Sequence, residues 1–367
     1  MLRPLLKPSS LFKAALNTIH FTGIDRALSP LTRGEGVIFT LHQVRPEPPR
    51  AFEPNRILAV TPTFLEQVVR QVIEAGFEIL SLDEVHARLT GETRSARPFA
   101  AFTFDDGYRD MREYALPVFK RFGAPFAVYV PSAFPDGQGE LWWLALEQVI
   151  REAPSVSVQM NGEMRTFVCD SPAEKSRAFE QIYWWLRALP EDRARGVVRE
   201  LCDGVGLDVF KICRDLIMTW GELRQLASDP LVTIGSHTRS HLAVAKLAER
   251  EAFDEITAGI KRLEAELGRP CHHFSFPYGD EASAGPRDFK LAELAGAHTA
   301  VTTRKGVIHR HHRRTMTGLP RVSLNGDYQH SRYVKVFMTG APFAMLDILR
   351  RPRRNEEKPD IAAPAPR

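Results

Sequence analysis

The sequence predicts an α/β fold with a parallel sheet, and three observations predict it. Apolar, β-branched runs of strand length recur along the chain, amphipathic helical stretches separate them, and polar residues suited to chemistry sit where the strand runs end. With 367 residues, 44% of them hydrophobic, the chain can bury one large decorated core or two small ones. Disorder as its main state is excluded.

The first predicted strand is "GVIFTLHQV" (36–44), an apolar run that contains His42. "TPTFLEQVVRQVIEAGFEIL" opens with a Thr-Pro helix start, keeps apolar residues at 64, 65, 68, 69, 72 and 73, and stops at Gly76. A strand, "FEILSL", follows. "FAAFTFDD" (99–106), a helix through "YALPVFKRFG" and "APFAVYVP" (124–131) repeat the pattern. From about 136 to 222 the rhythm breaks into an aromatic stretch read as mostly helical, where "LWWLALEQVI" and "YWWLRAL" carry four of the five tryptophans. It reads as an insertion. Alternation resumes with "LVTIGSH" (231–237), the helix "EREAFDEITAGIKRLEAELG", "HHFSFPYG" (272–279), a helix around "DFKLAELAG", "HTAVTT" (298–303), "LPRVSL" (319–324) and a short helix near 329–338. The chain divides into an N-terminal basic segment (1–34), a main domain (35–345) and a charged, Pro/Ala-rich tail (346–367) expected to be disordered.

The 49 basic and 45 acidic residues nearly cancel, so the net charge of +4 suggests no nucleic-acid partner. Basic residues gather at the ends, in "LRPLLKPSSLFK" and "LRRPRRNEEK". Cys169, Cys202, Cys213 and Cys271 show no CxxC spacing and read as free thiols of a reducing compartment. The start lacks the continuous apolar core of a secretory signal, and no run reaches the roughly 20 apolar residues of a membrane span. A cytoplasmic chain is expected, with the inner face of the membrane as a variant. Residues 5–28 can form an amphipathic helix with Leu6, Phe12, Leu16 and Ile19 on one side, to pack on the body or to touch a membrane surface.

Three strand ends carry the chemistry. In "FTFDDG", Asp105 and Asp106 would point to opposite faces if the strand ran straight, and Gly107 lets it bend. Burying both costs several kcal/mol unless a cation compensates. The bland reading is one helix cap and one solvated carboxylate. In "SHTRSH", His237 and His241 have the spacing that puts two imidazoles on one side of a helical turn, within reach of one divalent ion. In "SFPYG", Pro277 and Gly279 bracket Tyr278 in a turn that can aim a backbone N–H into a cleft.

These segments, in this order and at these separations, resemble the polysaccharide deacetylase family (NodB-homology domain, carbohydrate esterase family 4), chitooligosaccharide deacetylases among them, over roughly residues 36–325. The resemblance implies a distorted (β/α) barrel over 35–345, with the 136–222 stretch as a helical insertion. It implies a hydrolase that removes acetyl groups from N-acetylated amino sugars, oligomeric or polymeric, with a divalent metal: zinc first, cobalt, manganese or nickel as alternatives. Carried over by position, Asp105 is the catalytic base, Asp106, His237 and His241 are the metal ligands, and the Tyr278 N–H serves the oxyanion.

Two positions depart from the family pattern. An arginine that usually holds the catalytic aspartate is replaced by Ser275, and Arg321 in "LPRVSL" is expected to take its place from another strand. The late histidine segment that supplies the general acid is not recognisable, which leaves His42 or one of His309, His311 and His312 in "HRHHRR". The Trp-rich insertion suits a sugar-stacking wall or plain core packing. An O-acetyl esterase with the same site, or a degenerate saccharide-binding protein, are the alternative readings.

Overall fold

The computed structural model describes residues 8–350. Seven parallel strands close into a barrel: β1 (Gly36–Leu41), β2 (Phe99–Phe104), β3 (Phe126–Val130), β4 (Val232–Ser236), β5 (His273–Ser275), β6 (Thr299–Lys305) and β7 (Leu319–Ser323). β1 closes the ring, since it pairs with β2 from Gly36↔Phe99 to Leu41↔Phe104 and with β7 at Phe39↔Val322. The barrel is distorted. β5 has only three residues, the β6–β7 register shifts between Val301 and Lys305, and a two-residue strand, Glu78–Ile79, flanks the first half of β2 while β3 takes the second.

Side chains alternate between two faces along each strand, and here the faces form two cores. Phe39, Phe102, Phe104, Val128, Phe274 and Val322 join the surrounding helices in the larger core. Ile38, Ala101, Ala127, Tyr129, Val301 and Leu319 form the smaller one, together with Leu82, Val85 and Leu89 of the helix Leu82–Thr90. That helix starts from a Ser81–Glu84 capping box and stops at Gly91 in the left-handed region.

The insertion is not all helical. Helices fill most of it, but between the helices Trp142–Glu152 and Pro172–Ala188 lies an antiparallel hairpin, Ser155–Met160 with Glu163–Val168. Its turn is Asn161-Gly162, both at positive φ, the chemistry a two-residue hairpin needs. Val156, Val158 and Met160 alternate inward. The expected 5–28 helix is also two: Pro8–Thr22 and Ile24–Thr32 meet at Gly23, with φ 72°. Leu16 and Ile19 are buried in the body, and Leu6 lies outside the described residues. A last helix, Ala341–Arg350, runs through the first residues assigned to the tail; 351–367 lie outside the described residues. All four cysteines are free and buried, and no described helix is long and apolar enough to cross a membrane.

Candidate active site

Parallel strands put all their C-terminal ends at one rim, where barrels build their sites. His42 follows β1, Asp105 and Asp106 follow β2, His237 follows β4, and Tyr278 lies just past β5. The chain bends sharply to deliver them. Four of the five described non-glycine residues with positive φ are here: Asp106 (73°), Thr238 (65°), His241 (58°) and Tyr278 (60°). Such backbone costs roughly 1–3 kcal/mol per residue, and its concentration at one rim marks a site held in shape by its surroundings.

For the two aspartates, the bend at Asp106 ends the straight-strand geometry that would send them to opposite faces. Each finds a separate environment. Asp105 is held by Arg321, whose Nη1 donates to Oδ1 at 2.8 Å and whose Nη2 donates to Oδ2 at 2.7 Å. Arg321 is 1% exposed. Its remaining donors reach Thr103 Oγ1 (3.0 Å), Ser275 Oγ (3.0 Å) and the Thr302 carbonyl (2.9 Å). Ser275 thus stands beside the guanidinium as an acceptor. Burial alone would push the Asp105 carboxyl up, but Arg321 overrides it and holds the group well below the usual carboxylate range.

Asp106 Oδ1 lies 3.3 Å from His241 Nε2 and 3.7 Å from His237 Nε2. The three ligand atoms all fall within 4.8 Å of one another, and all three residues are buried. Arms of about 2.1 Å in tetrahedral geometry set ligands about 3.4 Å apart, so this set can hold a divalent ion. Asp106 Oδ1 and His241 Nδ1 are buried without a hydrogen-bond partner among the described residues. An ion would answer the first of these. His237 Nδ1 donates to the Ser275 carbonyl at 2.7 Å, which fixes the tautomer that leaves Nε2 free as a ligand. Burial pushes His237 down to about 4, so it is neutral at neutral pH. The two histidines are not on a helical turn as the spacing suggested: Thr238 and His241, both left-handed, fold a tight non-helical turn that brings the rings to 4.9 Å.

His42 Nε2 lies 4.0 Å from Asp105 Oδ2, and its side chain is about a quarter exposed. The rival histidines are elsewhere: the turn Arg310–Arg314 adjoins Ile308, which bridges to Gly36 at the start of β1, the opposite end of the barrel. His309, His311 and His312 are therefore excluded as proton donors to this site.

Tyr278 accepts from Trp142 Nε1 at its hydroxyl (2.7 Å), and Arg187 lies 3.7 Å over its ring. Its backbone N–H has no acceptor among the described residues. Trp143 lies 5.0 Å from the His241 ring. Trp142, Trp143 and Arg187 all come from the insertion, so it walls the His241 side of the rim. Both tryptophans are buried, which makes them packing residues first. Thr103 and Arg187 were not singled out by sequence: nothing in "FTF" or "YWWLRAL" distinguishes a site contact from a strand or helix residue.

A family model described as polysaccharide deacetylase matches residues 203–297. The fold is similar to a Streptococcus pyogenes deacetylase, PplD, solved in complex with acetate (TM-score 0.52, 14% identity, 79% of this chain and 92% of that one). It is also similar to a de-N-acetylase from Aggregatibacter actinomycetemcomitans (TM-score 0.53, 13% identity, 82% and 98%). No curated protein sequence matches. The matched segment spans the "SHTRSH" and "SFPYG" strand ends, and the closed seven-strand parallel barrel, a fold it shares with these solved deacetylases, carries the rest of the site at the same rim.

Proposed function

We propose that this chain is a metal-dependent N-deacetylase of amino-sugar oligomers or polysaccharides. The observation that carries the reading is the division of labour at Asp105 and Asp106: one carboxylate paired with a buried arginine, the other aimed at the two buried imidazoles of His237 and His241. Asp106, His237 and His241 would hold the ion, and nitrogen and oxygen donors in a three-residue set suit zinc, with cobalt, manganese or nickel as substitutes. Bound there, the ion would polarise the acetyl carbonyl and make water a nucleophile at neutral pH.

The chain's own residues do the rest. Asp105, ionised and fixed by Arg321, accepts the proton of the attacking water. The Tyr278 N–H supports the oxygen that gains charge as the carbonyl carbon becomes tetrahedral. His42, the partly exposed titratable group beside Asp105, delivers a proton to the departing amine as the C–N bond breaks and acetate forms. The same residues would open an acetyl ester, but a protonated donor matters most for an amine, and His42 favours the amide reading.

Acetate release from N-acetylglucosamine oligomers, measured with metal content for the wild type and Asp105→Asn, tests the proposal. Release that is lost in the variant while metal is retained supports it. Release from O-acetylated sugars alone would replace it with the esterase reading, and metal binding without release from either would replace it with the saccharide-binding one.

A further inference from the structure

The apolar side predicted for the N-terminal helix is used internally, with Leu16 and Ile19 buried and Phe12 packed edge-on against Tyr328. A different apolar surface reaches solvent. On the helix Ile24–Thr32, Asp25 is 2% exposed while Leu31 is 82% and Ile24 41% exposed, so this helix turns a charged residue inward and its apolar stripe outward. Ala27 continues the stripe. The helix Ala341–Arg350 lies beside it, joined where Thr32 Oγ1 donates to the Thr339 carbonyl at 2.6 Å, and exposes Ile348 (68%) and Met345 (38%). Of thirteen exposed large apolar residues in the described chain, four lie on these two helices. That density exceeds chance for nineteen residues.

Arginines border this surface. Gly34, just after the first helix, abuts the Ile308 carbonyl and His309, and Asp347 acts electrostatically on His309, so the turn Arg310–Arg314 sits beside both helices. Arg310, Arg313 and Arg314 are exposed. Arg26, Arg33 and Lys335 line a cleft of about 360 Å³ on the inner side of the first helix. Against these stand Asp25 and Glu74 in the same cleft, Glu35, 3.8 Å from Arg313, and Asp347. Apolar tips fringed by an excess of arginine match an acidic lipid headgroup layer over a hydrocarbon edge.

We propose that the helices Ile24–Thr32 and Ala341–Arg350, with the turn Arg310–Arg314, dock this protein on the surface of an anionic phospholipid bilayer. The surface lies at the end of the barrel where β1 begins, so the catalytic rim faces the water and the substrate is met away from the lipid plane. The inference stands independently of the substrate proposed above.

Cosedimentation of the full chain with vesicles tests it. Binding is expected to vesicles of phosphatidylcholine mixed with phosphatidylglycerol and not to phosphatidylcholine alone, and to weaken with salt. The double substitution Leu31→Asp/Ile348→Asp should abolish it. Arg310→Gln/Arg313→Gln/Arg314→Gln, all exposed positions that do not threaten folding, should weaken it roughly tenfold or more. Both variants should keep wild-type acetate release from a soluble oligomer. Failure of the wild type to bind the acidic vesicles, or binding unchanged in the arginine variant, overturns the proposal. So does a wild-type dimer in light scattering that the Leu31→Asp/Ile348→Asp variant dissolves, which would assign the surface to a second copy.

Discussion

Arg321 grips Asp105 with two parallel N–H···O bonds, across a barrel in which their strands, β7 and β2, are separated by β1. Arg321→Met removes the cation and leaves the burial, so the Asp105 carboxyl rises above its ordinary 3.8 instead of lying below it. The acid limb of the kcat/KM profile should move to higher pH. The pair's stabilisation is full above 3.8 and fades as pH falls through the depressed folded value, so the wild type should lose stability in acid more steeply than the variant. At neutral pH the variant should be less stable by about 3–5 kcal/mol, the usual result of unpairing a buried charge, measured by denaturant titration. Arg321→Lys cannot restore both bonds and should recover only part of the activity.

Metal content should follow the three-residue set. Asp106→Asn and His241→Ala should each lower the bound divalent ion by at least about tenfold at fixed free metal, since each removes one of three protein ligands. Elemental analysis after dialysis checks this. Asp105→Asn should keep its ion, and that contrast separates ligand from base. A chelator should abolish turnover of the wild type, and added zinc should restore it.

Adjacent aspartates, paired histidines and a Pro-Tyr-Gly turn were legible because their chemistry demands rare residues at strand ends, and the apolar runs placed those ends. Arg321 was legible only through the family resemblance, whose pattern expects an arginine where this chain has Ser275; "LPRVSL" then offers one in an otherwise apolar strand. The backbone at the site was not. A four-residue histidine spacing fits a helical turn, and only tertiary packing selects the left-handed conformations at Thr238 and His241. The hairpin at 155–168 had a signal that the aromatic context masked, Asn161-Gly162 between alternating residues. Contacts such as Trp142 to Tyr278 join residues 136 positions apart and leave no local trace.

His42 should behave as a proton donor and not as a support. His42→Asn should lower kcat by about 10²–10⁴-fold with little change in metal content or melting temperature, because the side chain is partly exposed and no buried network depends on it. The loss should shrink for substrates whose leaving group needs no protonation. His311→Asn, at the opposite end of the barrel, should leave kcat unchanged.

The Tyr278 turn separates backbone from side-chain chemistry. Gly279 has φ 64°, and a Cβ there would stand 2.5 Å from the Thr303 backbone nitrogen, which itself donates to the Gly279 carbonyl at 3.0 Å. The obstacle is backbone, so no rotamer change relieves it. Gly279→Ala must push the turn away from β6 and take the Tyr278 N–H with it. Steady-state kinetics should show kcat reduced by about 10²–10³-fold, the scale of losing one oxyanion donor, with metal content preserved. Tyr278→Phe keeps the N–H and loses only the hydroxyl that accepts from Trp142, so its kcat should stay within about tenfold of the wild type, with stability lowered by about 1–3 kcal/mol for the buried indole N–H left unpaired. If Tyr278→Phe instead lost as much activity as Gly279→Ala, the hydroxyl and not the backbone would be the group that matters.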